Sequence, residues 1–429
     1  MTARLAHCLY LVVFLGSGPL FAQGLALNGI GPINQSMGGA AVANPIDAAG
    51  AIHWNPASLS GLQHRETAFG MTLALPSERV TSRTTVPFSL AGSDASESGV
   101  SPIPYIAFVD RDDDSRFTYG LGMFGIGGFR VNYPASQTNP VLTPQPPLGL
   151  GVGKLLSEAE ILQIVPTLSY AVSERLSVGF APTISLGRLT ADPLLLAAPD
   201  DANGDSIATY PSGRGNRYTW GGGFQAGVYY IGDNCWHFGA SFKSTQWFER
   251  FRFKTTDELG RPQTVSLELE YPMIVSIGTA YSGFENVIFA ADLRYFGYGQ
   301  AAGLGQSGFN NDLSVAGLGW DNIFSLAVGT QLRLTDRAYL RLGYTYNENP
   351  VSDAQASANV GSPVITQHFV NLGASYYVRE HWILSLAYSH GFENEISGPI
   401  QTPAGPLPGS QVASEVSVDG LSIGITVRH

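Results

Sequence analysis

The chain has 429 residues, a formal net charge of -11 and only 13% Asp, Glu, Lys and Arg, about half the ~25% usual in soluble domains. The acidic balance argues against nucleic acid as a partner, and the shortage of charge argues against a surface covered by water alone. After residue 22 no apolar run reaches the ~18 residues that a membrane-spanning helix needs, so helical spans are excluded.

At the amino terminus Arg4 precedes the apolar run LYLVVFLGSGPLF, and small Ala22 follows it. These are the charged, hydrophobic and cleavage regions of a secretory signal. Residues 1–22 are therefore read as a signal peptide, and the mature chain starts at Gln23. Cys8 leaves with the signal, which leaves Cys235 without a partner, a buried or interfacial small residue. Residues 23–63 fit no strand. They contain MGGAAVANPIDAAGAIHWNPASLSGL, apolar enough to be sheltered and small enough to fold tightly, as a plug inside a barrel would be.

From residue 64 to 429 the pattern has a period of two. In RYTWGGGFQAGVYYIGD the even positions Tyr218, Trp220, Phe224, Ala226, Val228 and Tyr230 are apolar, and the residues between them are small or polar. RAYLRLGYTYNE and HWILSLAYSH repeat it. One face meets lipid and the other a lumen. About fourteen such strands are expected, from 66–76 through 116–130, the third, to 413–428. Short turns (DRDDDSR, SER, GDN, SGFE, TDR, RE) alternate with long loops rich in Pro, Gly, Ser and Asn. That alternation marks a bacterial outer-membrane barrel with both ends in the periplasm. The fold class is all-β: a monomeric transmembrane antiparallel β-barrel of about 14 strands, with an N-terminal hatch inside the lumen. The last strand changes phase, because Val412, Val416 and Val418 are even whereas Leu421, Ile423, Ile425 and Val427 are odd. A one-residue bulge at Asp419–Gly420 would restore a single lipid face.

The opening segment, with its Gly-rich run, its Asp and its Asn-Pro-Ala triplet, resembles the hatch of the FadL/TodX (OmpP1-type) family of outer-membrane transporters for long-chain fatty acids and other hydrophobic compounds. Gly38, Gly39, Ala40, Asp47, Asn55, Pro56 and Ala57 match that pattern. The likeness continues through LELEYPMIVSIGTAY, DLRYFGYGQ and RLGYTYNENPVSD. It implies passive transport, no enzymatic activity and no cofactor. Hydrophobic small molecules, outer-membrane lipids, lipopolysaccharide and the barrel assembly machinery are the implied partners. Gln23, Gly24, Leu25 and Leu27 correspond to the stretch beside the ligand. The resemblance also implies a kinked third strand that opens the wall sideways; here RFTYGLGMFGIGGFRV carries Gly125 and Gly127 at expected outward positions, with Gly128 beside them, so a gap is expected at 125–128. The end GITVRH departs from the aromatic terminus usual in such barrels, which leaves His429 in its place.

A fatty-acid carboxylate needs a cation in the lumen. Strand parity turns Lys243, Asp292 and Arg294 inward near mid-barrel, and Arg333 and Arg341 inward near the periplasmic rim. Lys243 and Arg294 are the carboxylate candidates; alternatively Arg294 pairs with Asp292, or with the hatch through Asp47. Other motifs read as coincidences. GLSIG around Ser422 lacks the strand-turn-helix of a nucleophile elbow. GLGMFG lies within a strand with no helix after it. DDANGDS (200–206) starts like a calcium loop but lacks its Glu, and the His residues show no ligand spacing, so no metal is expected. The rival readings are a carrier of aromatic or aliphatic hydrocarbons, an outer-membrane lipid hydrolase, for which no Ser/His/acid set is apparent, and a structural barrel.

Overall fold

A computed structural model describes residues 24–86, 89–112, 114–214 and 217–429; the signal peptide expected at 1–22 lies outside them, as does Gln23. Fourteen strands form the barrel wall: β1 (Glu66–Thr84), β2 (Ser101–Arg111), β3 (Phe117–Tyr133), β4 (Leu155–Ala171), β5 (Leu176–Asp192), β6 (Thr219–Ile231), β7 (Trp236–Lys243), β8 (Ile274–Tyr281), β9 (Val287–Phe296), β10 (Ile323–Arg333), β11 (Ala338–Asn347), β12 (His368–Tyr377), β13 (Trp382–Gly398) and β14 (Gln411–Arg428). Each pairs antiparallel with the next, and β14 returns to β1, so the sheet closes on itself. Closure pairs the first strand with the last, so neither is left as an open edge in the hydrocarbon, where an unsatisfied backbone group is costly. Among the described residues no helix is long and apolar enough to cross a membrane.

The alternation places Phe69 and Met71 of β1, Leu372 of β12 and Ile423 of β14 on the outside, exposed, as a lipid-facing band requires. Aromatic pairs mark its two rims, Trp236 with Tyr281 below and Tyr295 with Phe324 above. Several strands overshoot the ~9–11 residues that cross a bilayer; β1 has 19 and β14 has 18. The excess rises on the long-loop side, where a hairpin of Phe251–Thr256 and Pro262–Leu267 extends the wall further.

β14 keeps a single register against β1 from Gln411 to Arg428. The bulge expected at Asp419–Gly420 is absent, and the irregularity of that region lies on β13 between Gly391 and Asn394. Even-numbered residues of β14 face the lumen throughout: Ser422 and Thr426 below, Val412 and Val416 above. The apparent change of phase has a different cause, since the outer half of the lumen is itself apolar.

Residues 24–63 lie within the ring of strands. They form α1 (Gly31–Ser36), α2 (Ala48–Trp54) and a 3-10 turn at Pro56–Gly61. α1 packs against β1 and β11–β14, α2 against β1–β4, and the 3-10 turn against β3–β6. Inward glycines allow the fit. A Cβ at Gly329 or Gly343 would run into the backbone of Met37, and one at Gly239 into the Val42 carbonyl.

Candidate functional site

Gly38 and Gly39 take positive φ, 65° and 82°, so that the chain turns flat against β10 and β11. Asp47 is the N-cap of α2, its Oδ2 accepting from Gly50 N at 3.2 Å. Glu66 of β1 joins it there, accepting from Ala48 N at 2.8 Å. The second oxygen of Asp47 is buried without a hydrogen-bond partner among the described residues. Burial, and then the Glu66 charge, push the Asp47 carboxyl up to about 7. Asn55 both caps and cross-links: its Oδ1 accepts from Ala57 N at 3.0 Å, and its Nδ2 donates to Val42 O at 2.8 Å and to Val228 O of β6 at 3.0 Å. Pro56 fixes the first residue of the turn, and Ala57 O accepts from Ser169 of β4 at 3.0 Å.

β2 and β3 pair from Arg111↔Thr118 up to Tyr105↔Phe124 and then part. Against β4 on its other side, β3 stays paired to Tyr133, with a register shift between Gly125 and Gly127. The edge thus freed is taken by the start of the hatch. Leu27 N donates to Ile126 O at 3.1 Å, Gly128 N donates to Leu25 O at 3.2 Å, and Ala26 bridges Gly127. The shift turns Gly127 inward rather than outward, since a Cβ there would meet the Leu25 carbonyl and the Tyr271 ring. Gly125 abuts the Ile103 side chain of β2, and Gly128 the Ala159 carbonyl of β4.

Leu25 is buried in an apolar interior that fills the outer half of the lumen and includes Tyr133, Leu142, Phe251, Tyr271, Tyr298 and Trp320. Tyr298 accepts from Ala26 N at 3.1 Å, and Tyr271 OH donates to Ile126 O at 3.3 Å. Parity along strands could not find either tyrosine, because both lie in loops that fold back into the lumen.

The two carboxylate candidates differ. Arg294 donates to Asp292 at 2.8 Å and to Gly39 O at 2.6 Å, and its guanidinium lies 3.4 Å from the centre of the Trp54 ring. Asp292 in turn accepts from Ala41 N at 2.8 Å and Val42 N at 3.1 Å. Lys243 is as deeply buried, yet it meets no carboxylate within ion-pair distance among the described residues; its Nζ lies 3.3 Å from His53 Nδ1. Burial, followed by Lys243 and Arg294, holds the His53 pKa well below its usual value, so the imidazole is neutral.

Asp47 does not reach Arg294; it lies over the periplasmic floor, where Glu66 and Arg428 pair at 3.0 Å. A cavity of about 220 Å³ there is lined by Glu66, Gln331, Arg341, Ser375 and Arg428. Among the described residues the side-chain bonds of Arg341 go to neutral groups, Gln331 and Ser375, each at 2.7 Å. Arg333 is exposed at a periplasmic turn beside Asp336. Cys235 is exposed, not buried, because a positive φ of 64° holds it at the tip of a turn. At 200–206 Asn203 bonds Asp205, and no cluster able to hold a metal occurs among the described residues.

Residues 15–429 match the family described as outer membrane protein transport protein (OMPP1/FadL/TodX). The chain belongs to this family and is an outer-membrane transport barrel for hydrophobic compounds. Among solved structures it resembles a Pseudomonas aeruginosa FadL homologue (TM-score 0.70, 16% identity) and the Pseudomonas putida toluene transporter TodX (0.68, 16%). It also resembles the Ralstonia pickettii toluene transporter TbuX (0.67, 17%); each of these alignments covers 94% of this chain and 99% of the other. At such identities the likeness is one of fold. No curated protein matches the sequence.

Proposed function

We propose that this barrel carries long-chain fatty acids passively across the outer membrane, with residues 23–63 acting as a hatch and with release through the wall between β2 and β3. The observation that carries the fatty-acid reading is Lys243, a buried amine with no carboxylate within ion-pair distance among the described residues, beside a neutral imidazole. A buried charge without a counter-charge is costly, and a ligand carboxylate would supply one. Arg294 is already committed to Asp292 and the hatch backbone, so its role in this reading is to hold the hatch. The alkyl chain would replace Leu25 in the apolar interior, at a gain of about 0.8 kcal/mol per buried CH₂. Withdrawal of residues 25–27 would free the β3 edge at Gly125, Gly127 and Gly128 and leave a side exit into lipid. β14 pairs with β1 from Gln411 to Arg428, which leaves neither terminal strand an edge to pair with another chain and supports a monomer.

A second reading, uptake of uncharged hydrocarbons by the same route, is favoured by the aromatic lining around Tyr298. Uptake by cells carrying Lys243→Met separates the two. The fatty-acid reading expects about tenfold slower uptake of a long-chain fatty acid, with uptake of an alkane of equal length unchanged. Equal uptake of both substrates by variant and parent would assign the barrel to hydrocarbons.

A further inference from the structure

Above the membrane on the long-loop side, one face of the molecule carries two cations, Arg252 and Lys254, that belong to no ion pair among the described residues. Trp247 and Phe248 pair with β6 at Gly222 and Gly221, and Glu249 N donates to Trp220 O at 2.9 Å. Trp220 and Trp247 are both about half exposed and belong to the outer aromatic rim. The chain then rises as the hairpin 251–267. Phe251 and Phe253 turn inward and are buried, whereas Arg252 and Lys254 turn outward and are exposed. Across the hairpin Arg252 faces Ser266 and Lys254 faces Thr264. Among the described residues the nearby ion pairs are Arg250 with Glu268 at 2.6 Å and Arg261 with Asp257 at 2.6 Å, and neither includes Arg252 or Lys254. At ~3.3 Å per residue and a ~40° tilt, these two cations stand roughly 10–20 Å above the aromatic rim.

We infer that this face of the hairpin binds lipopolysaccharide through the phosphates of its inner core. The hairpin's inward phenylalanines fix it as a rigid extension of the wall, so the cations are presented at one height. That height is just above lipid, where the sugar-linked phosphates of the outer leaflet lie. In a chain of net charge -11, the outward row Arg250, Arg252 and Lys254 faces a single carboxylate, Glu268, which pairs with Arg250; Arg252 and Lys254 are left as a local attractive site for such phosphates.

The test is binding of rough lipopolysaccharide with a phosphorylated inner core to the full-length protein in detergent at low salt, where charge contacts are least screened. The parent should bind it about tenfold more tightly than the double variant Arg252→Glu/Lys254→Glu, and should lose the same factor when the lipopolysaccharide is dephosphorylated. Heat-modifiable migration checks that the variant is folded, and Arg337→Glu, at a periplasmic turn, should bind like the parent. The inference is overturned by equal affinity of double variant and parent, by equal binding of dephosphorylated lipopolysaccharide, or by an equal loss in Arg337→Glu. Displacement by inorganic phosphate at matching concentrations would assign the face to free phosphate instead.

Discussion

Asn55 joins three pieces of chain that are far apart in sequence: the Val42 carbonyl, its own turn at Ala57, and the Val228 carbonyl of β6. Alanine at this position removes three hydrogen bonds, those to the Val42 and Val228 carbonyls and that from the Ala57 N–H. The loss should be on the order of 3 kcal/mol, felt by the hatch alone because the β6 ladder is intact. The expected outcome for Asn55→Ala is a barrel that still assembles, with faster deuterium exchange at residues 40–60 and measurable ion leakage in planar bilayers. Unchanged exchange there would remove the cross-link from the account. The value of Asn55 was legible in the Asn-Pro-Ala triplet, since Asn bonds nearby backbone and Pro sets the next dihedral. Its bond to β6 was not, because nothing local encodes a partner 173 residues away.

At the level of elements, strand identity was readable wherever lipid and lumen impose opposite demands on alternate residues, as in β6, β11 and β13. It failed where the lumen stops being polar. Val412 and Val416 face inward in β14, and an apolar residue facing an apolar interior looks in sequence like one facing lipid. The inward turn of Gly127 was hidden for a related reason: a register shift resets parity without changing composition. The glycines of β3 carry a prediction at this scale. Valine at 125 and 127 would meet Ile103 on one side and the Leu25 carbonyl and Tyr271 on the other, displacing the hatch arm and blocking the gap. The double variant should assemble with normal heat-modifiability and lose at least about tenfold in hydrophobic uptake. A double variant that transports like the parent would exclude the side exit between β2 and β3.

For the whole molecule, closure of the lumen depends on how the hatch meets the periplasmic floor, where Asp47 lies among Glu66, Arg341, Arg428 and Tyr105. Its carboxyl moves from an ordinary 3.8 to about 7 on burial, so the seated state binds a proton that the released state gives up. Seating is therefore firmest in acid and weakens as pH rises from about 4 to 7, by up to about tenfold in equilibrium constant per pH unit. Ion leakage through the parent protein in planar bilayers should rise from pH 5 to pH 7.5, and Asp47→Asn should flatten that profile at its low-leak end. A parent profile without slope would separate the floor from closure.

The floor also bears on how the molecule is made. Thr72 and Ser422 are direct partners across the β1–β14 junction, with hydroxyls 2.6 Å apart. Both hydroxyls also lie within hydrogen-bond distance of the same oxygen of Gln35 in α1, so that their two protons are shared among the three oxygens. Beneath them Arg428, the penultimate residue, ties Glu66 of the first strand to the Ile46 carbonyl of the hatch. The junction that turns a sheet into a cylinder is thus stitched from three threads, one of which comes from the interior. A cylinder sealed before the hatch was in place would leave these groups unmet at its seam. The last strand to arrive is the one positioned to register whether the first part of the chain is already home.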